Sequence, residues 1–201
     1  MLTPRRLLIT DGSPEALAAL TLQDRPDQTI LWVPELEQAG ASRRMAAVKR
    51  QAEHFRTDRV IGPGANATTS ESASRPALLH RVLADAKMLI EALIAASESR
   101  CGRVIWPCQA GFDLDRMATV QEIVTCAAHL AQLDPSTRGF APVVRTPLLD
   151  CTDEQVVDLI RSGGAPLALS WWCEHESAEP CGACESCGRW ESAGPATTAA
   201  A

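Results

Sequence analysis

No apolar run in these 201 residues is long enough to cross a membrane, which excludes a spanning helix as the organising element. The opening "MLTPRRLLITDGSPE" lacks the long apolar core and small-residue cleavage site of a secretory signal. It is therefore expected to form a first strand, and the protein to be cytoplasmic. Positive charge is not in excess either. With 19 Lys and Arg against 25 Asp and Glu the net charge is -6, so broad attraction to nucleic acid is not expected. The one local basic segment, "SRRMAAVKRQ" at 42–51, is expected to be a solvated helix face, with a local basic patch as the alternative. No repeat is present.

What remains is an ordinary globular composition, 46% apolar, long enough for one core with a small appendage. Short apolar runs alternate with helical periodicity. Strands are expected at 5–10, 29–34, 59–62, 103–108 and 142–149, and helices at 15–23, 41–55, 76–99, 118–133 and 152–163. Ser13 suits an N-cap, Pro14 the first helical position and Glu15 the positive end of the helix. Thr152 is a second expected N-cap, with Asp153 and Glu154 in the first turn and Gly163 at the stop. In the longest helix, Val82, Leu83, Ala86, Leu89, Ile90 and Leu93 are spaced to share one buried face with Leu79. Strands alternating with helices predict an α/β fold, a parallel sheet with helices on both faces. The segment "PGANATTSESASRP" at 63–76 should be flexible and the C-terminal tail disordered. The expected divisions are an α/β domain over 1–166, a cysteine-rich segment of the same domain over 167–192, and a tail over 193–201.

Eight cysteines without a secretory signal point to metal ligands and small buried residues rather than disulfides. Cys101, Cys108, Cys126 and Cys151 are scattered and expected to fill core. Cys181, Cys184 and Cys187 stand three apart, with Cys173 upstream in "WWCEHESAEPCGACESCGRW". Two intervening residues let a tight turn aim two thiolates at one ion, and four thiolates suit closed tetrahedral zinc. An iron–sulfur cluster is the competing occupant. His175 is expected to be a solvated loop residue.

The runs "TPLLDCTDEQVVDLI" and "APLALSWWCEHESAEPCGACESCGRW" resemble the 7-cyano-7-deazaguanine synthase family. The resemblance covers about residues 145–190. It implies an adenine-nucleotide α-hydrolase-like fold, Rossmann-like, of the PP-loop ATPase kind. It also implies structural Zn²⁺ on Cys173, Cys181, Cys184 and Cys187, pinning the C-terminal segment over the nucleotide-binding face. The activity implied is ATP-dependent ligation: 7-carboxy-7-deazaguanine is activated by ATP and Mg²⁺, and ammonia leads through the amide to the nitrile used in making queuosine. The implied partners are the deazapurine carboxylate and ammonia, with no membrane and no strong nucleic-acid signal, and a homodimer as a further expectation.

That family grips pyrophosphate in a Ser-Gly-Gly-x-Asp-Ser loop, whose glycines let backbone N–H groups close on phosphate oxygens. Here the corresponding positions are Thr10, Asp11, Gly12, Ser13, Pro14 and Glu15. The first four are the candidate nucleotide-binding residues. Asp11 and Glu15 bring negative charge towards the phosphates, and Pro14 removes an N–H. The same stretch also reads as a well-capped strand-to-helix turn. The family's later loop is rich in Asp, Pro and Tyr. This chain has "QAGFDLDRM" there and no tyrosine, leaving Asp113 and Asp115 as candidates for a base edge or Mg²⁺, or as solvated loop acids. Two functions follow: the ATP-dependent synthase, or a non-catalytic relative that keeps the zinc site and binds a nucleotide-like ligand or a protein partner.

Overall fold

The computed structural model describes residues 5–36, 40–57, 59–63, 78–133 and 142–193. Five strands form one parallel sheet: β1 (Arg5–Ile9), β2 (Thr29–Trp32), β3 (Arg59–Ile61), β4 (Cys101–Ile105) and β5 (Val143–Arg145), in the order β3-β2-β1-β4-β5. Six α-helices accompany them among the described residues: α1 (Pro14–Thr21), α2 (Ala41–Phe55), α3 (Leu78–Glu98), α4 (Leu114–Ala131), α5 (Asp153–Ser162) and α6 (Glu185–Ala193).

Alternation along the strands sets the two layers. Leu7 and Ile9 of β1 join Ile30 and Trp32 in a cluster closed by Leu89 and Leu93 of α3 and Val120 and Ile123 of α4. Leu8, Leu31 and Ile105 face the other way, against Leu17 and Leu20 of α1 and Val156, Val157 and Ile160 of α5. Both faces are thus covered, as a parallel sheet requires. A Leu-to-Ala change at Leu17, which is fully buried, would cost about 2–5 kcal/mol.

The caps form as expected. The Ser13 side chain accepts from Ala16 N, and Thr152 makes a reciprocal capping box with Gln155. Three expectations are corrected. Leu83 stands 61% exposed, because the apolar stripe of α3 is narrower than its spacing suggested. α4 begins at Leu114 rather than 118, since the Asp113 side chain accepts from Arg116 N and caps it. Ala193 is helical and buried, so the chain stays ordered past residue 192. Apart from Pro63, the expected flexible stretch lies outside the described residues, as does the tail from 194.

The order 3-2-1-4-5 has its reversal between β1 and β4. β1 feeds α1 on one face and β4 feeds α4 on the other, so the two connections part and leave a crevice at the strand ends.

Candidate ligand cleft and candidate metal centre

The loop after β1 forms the floor of that crevice. Several of its carbonyl and amide groups are spent within the fold. Thr10 N donates to Trp32 O at 2.9 Å, and the Thr10 hydroxyl accepts from Gly12 N at 3.2 Å. Asp11 Oδ1 accepts from Ser13 N at 3.0 Å, and Ser13 Oγ from Ala16 N at 3.4 Å. The Glu15 carboxylate takes its own backbone N–H, and Pro14 has none. Gly12 sits at φ 82°, and a Cβ there would lie 2.5 Å from Arg44 O. Glycine is therefore required by the approach of α2, whatever else the loop does.

The two loop carboxylates are each met by an arginine. Arg44 Nη1 lies 2.8 Å from Asp11 Oδ2. Arg189 Nη1 lies 3.2 Å from Glu15 Oε1, while its Nη2 bonds Asp153 at 2.5 Å and Gln109 at 2.6 Å. Burial raises the Glu15 pKa although the Arg189 charge pulls it down. Arg44 comes from the segment expected to be a solvated face, and Gln51 beside it is fully buried. That expectation is corrected: α2 turns these side chains inward onto the loop.

Above the loop lies a cavity of about 330 Å³. Four of the five tryptophans wall it: Trp106 at the end of β4, and Trp171, Trp172 and Trp190 from the C-terminal segment. Asp85 of α3 also lines it. Asp113 and Asp115 are exposed at the start of α4 and do not line it, in keeping with the cap role. A second, more polar cavity of about 540 Å³ adjoins through Ser186 and Arg189.

The C-terminal segment reaches the cleft because it is tied to the loop. Trp171 N donates to Gly12 O at 2.8 Å, and Gln51 Nε2 donates to the same oxygen at 3.2 Å. Ser42 N and Oγ donate to Glu176. Trp190 and Ala193 enter the core layer of α1 and α5.

Beyond Trp172 the sulfurs of Cys173, Cys181, Cys184 and Cys187 lie within 4.8 Å of one another. Cys181 N and His175 N point at Cys173 Sγ at 3.4 Å each, and Cys187 N at Cys184 Sγ at 3.4 Å. Burial opposes a Cys173 thiolate, but those N–H donors outweigh it and bring the pKa down to about 6. Burial, then the neighbouring Cys184 side chain, pushes Cys187 up to about 12. Four adjacent thiolates need a cation among them, and the donor set fits one. Sulfurs bound to a single zinc at about 2.3 Å stand roughly 3.8 Å apart in a tetrahedron. Cys181 Sγ and Cys187 Sγ are 3.9 Å apart. In a four-iron cluster each thiolate binds a different iron, which spreads the sulfurs further. His175 is exposed, as expected, yet its Nδ1 lies 3.4 Å from Cys181 Sγ rather than out in solvent.

A family model described as "Queuosine biosynthesis protein QueC" matches residues 116–194. It is this C-terminal part of the chain that is similar to the QueC family. The 7-cyano-7-deazaguanine synthase of Prochlorococcus marinus (strain MIT 9312) is 45% identical over 42 residues, 21% of this chain and 19% of that protein. The synthase of Acidobacterium capsulatum is 46% identical over 55 residues, 27% of this chain and 24% of its own length. The chain thus matches about a fifth to a quarter of the length of these relatives. Among solved structures, the U34-tRNA thiolase NcsA from Methanococcus maripaludis with its [4Fe-4S] cluster is similar, at TM-score 0.52 and 15% identity. That likeness covers 94% of this chain and 64% of the thiolase, and it concerns the fold alone.

The four cysteines come together, and of the four loop residues Asp11 and Ser13 line the cleft while Thr10 and Gly12 are buried and do not. Arg44, Asp85, Trp106 and Arg189 were not legible as site residues. The available signal was compositional: five tryptophans without one tyrosine, three of them flanking the cysteines. Of the scattered cysteines Cys101 is buried, Cys108 and Cys151 are half-buried, and Cys126 is exposed, against expectation.

Proposed function

We propose that this chain is a 7-cyano-7-deazaguanine synthase-like protein that binds a deazapurine-type ring in the tryptophan-walled cleft without gripping ATP phosphates. The observation that carries this reading is the loop itself. The N–H groups of Gly12, Ser13 and Ala16 are bonded to Thr10, Asp11 and Ser13 side chains, leaving few donors for a phosphate. The cleft is lined by three carboxylates, Asp11, Glu15 and Asp85, against two guanidinium groups, Arg44 and Arg189. A polyphosphate entering there would meet more negative than positive charge, whereas a neutral aromatic ring would meet indole faces.

The cysteine set is read as a structural site for one Zn²⁺, which would hold the Trp171–Trp190 segment over the cleft. Residues 1–166 and 167–192 are one domain in this reading, because Trp190 packs into the same core as Leu8 and Leu17. A reducing compartment such as the cytoplasm suits thiolates that must stay free for metal.

A second reading is the ATP-dependent ligase, converting 7-carboxy-7-deazaguanine and ammonia to the nitrile. The QueC match favours it, and so do the three cleft carboxylates, which are a donor type for Mg²⁺. Calorimetry of the purified protein decides between them. Binding of 7-carboxy-7-deazaguanine without measurable ATP–Mg²⁺ binding is expected. Micromolar ATP binding with turnover would favour the ligase.

A further inference from the structure

Of the three carboxylates at the cleft, two are spoken for. Asp11 is held by Arg44 and by Ser13 N, and Glu15 by Arg189. Asp85 differs. Its carboxylate has no hydrogen bond and no ion pair among the described residues, and only the more distant charges of Arg116 and Arg81 act on it. It is nevertheless partly buried, on the α3 turn that also brings Met88 to the cleft wall, with Trp106 and Pro107 lining the same cavity. A desolvated carboxylate without a donor is costly, and a ligand that supplies donors would relieve it.

Resting on the ring-binding reading above, we propose that Asp85 is the specificity-determining residue of the cleft. Its two oxygens accept a pair of adjacent N–H donors, the amidine-type edge of a 2-amino-6-oxo purine-like ring. The match follows from donor and acceptor order. A carboxylate offers two acceptors side by side. A guanine-type ring turns an N1–H and a 2-amino group to such a partner, so two parallel bonds form, each to a charged acceptor. An adenine-type ring places its 6-amino donor beside N1, an acceptor, so one oxygen would face a lone pair. The tryptophans accept any planar ring; the carboxylate chooses among them. Desolvation raises the Asp85 pKa, consistent with a group kept short of partners until a ligand arrives.

The test uses the full-length, metal-loaded protein and two probes, 7-deazaguanine and 7-deazaadenine, titrated by calorimetry. Wild type should prefer 7-deazaguanine by about 5- to 150-fold, the range for one bidentate pair. Asp85→Asn offers one acceptor and one donor, so it should weaken 7-deazaguanine and abolish or reverse the preference. Its metal content and melting temperature should match wild type, which separates recognition from misfolding. Asp85→Glu, which keeps the carboxylate, should retain the direction of the preference. Equal affinity of wild type for both rings, or an unchanged preference in Asp85→Asn, would overturn the role of Asp85 while leaving the ring-binding reading intact. Failure of wild type to bind either ring would overturn that reading, and this assignment with it.

Discussion

The cysteine segment and the loop after β1 face each other across one cleft, and they have fared differently. The segment keeps every element a closed metal site needs: four sulfurs within 4.8 Å and backbone N–H groups aimed at two of them. The loop keeps its position, its one essential glycine and its helix cap, but its donors and charges are turned on each other. A staple that orders a chain and a grip that binds phosphate are thus separable. The first depends on thiol spacing and the backbone N–H groups beside it, the second on groups left unpaired until a ligand comes.

The largest expected effect breaks the staple. A structural site of this kind contributes on the order of 10 kcal/mol to ordering its segment, so Cys184→Ser should lose metal and expose residues 170–193 to protease. The five-stranded core should survive. Purified wild type should be colourless with about one zinc per chain. A brown preparation rich in iron and sulfide would instead favour a cluster, and equal protease resistance in the mutant would remove the staple role altogether.

The next effect sharpens the comparison from the other side. Changing Asp11 to Gly and Glu15 to Ser together removes Asp11 from Ser13 N and Arg44 and removes Glu15 from Arg189, which stays held by Asp153 and Gln109. ATP affinity should rise by on the order of 1–3 kcal/mol, about 5- to 150-fold, measured by calorimetry with Mg²⁺. Absence of any gain would mean that the loop's geometry, and not its pairing, excludes phosphate.

Arg189 joins the two regions. It bonds Glu15 from the loop and Asp153 at the start of α5, and stacks over Trp190 at 4.6 Å. Arg189→Ala leaves both carboxylates short of a cation, and about 1–2 kcal/mol of stability should be lost, discounted for partial exposure. Urea unfolding checks this; a loss below a few tenths of a kcal/mol would make the network ornamental.

The smallest effect is a pH slope. The folded state raises the Glu15 pKa, chiefly by burial. Such a group's contribution is fully present below the unfolded value and is lost as pH rises through the folded one. Glu15→Gln should therefore gain on wild type as pH rises from the ordinary carboxylate range towards neutrality, read as the change with pH in the difference between their urea unfolding free energies. A difference that stays flat, or moves the other way, contradicts the assignment.

Local chemistry was readable in the sequence. The caps at Ser13 and Thr152, the short apolar run of β1 and the approach of the four cysteines all depend on residues a few positions apart, and each appears as read. The pairing of Asp11 with Arg44 and of Glu15 with Arg189 depends on how the sheet closes, and no spacing encodes it. Hence the loop's charges looked exposed and repulsive in sequence, while in the fold they are matched. Leu83 shows the same limit: periodicity gave a face, but packing decided how wide it was.

The carbonyl of Gly12 carries a last consequence. It accepts from both Trp171 N and Gln51 Nε2, so α2, the loop and the tryptophan strand end share one atom. Flipping that peptide to present its N–H, which is Ser13 N, outward would break three bonds at once, the third being the one to Asp11, and unseat the first tryptophan of the cleft. Phosphate grip and aromatic wall are therefore rivals for a single backbone orientation. Phosphate affinity gained by replacing side chains at 11 and 15 would leave that wall in place, whereas affinity gained by turning this peptide would loosen it.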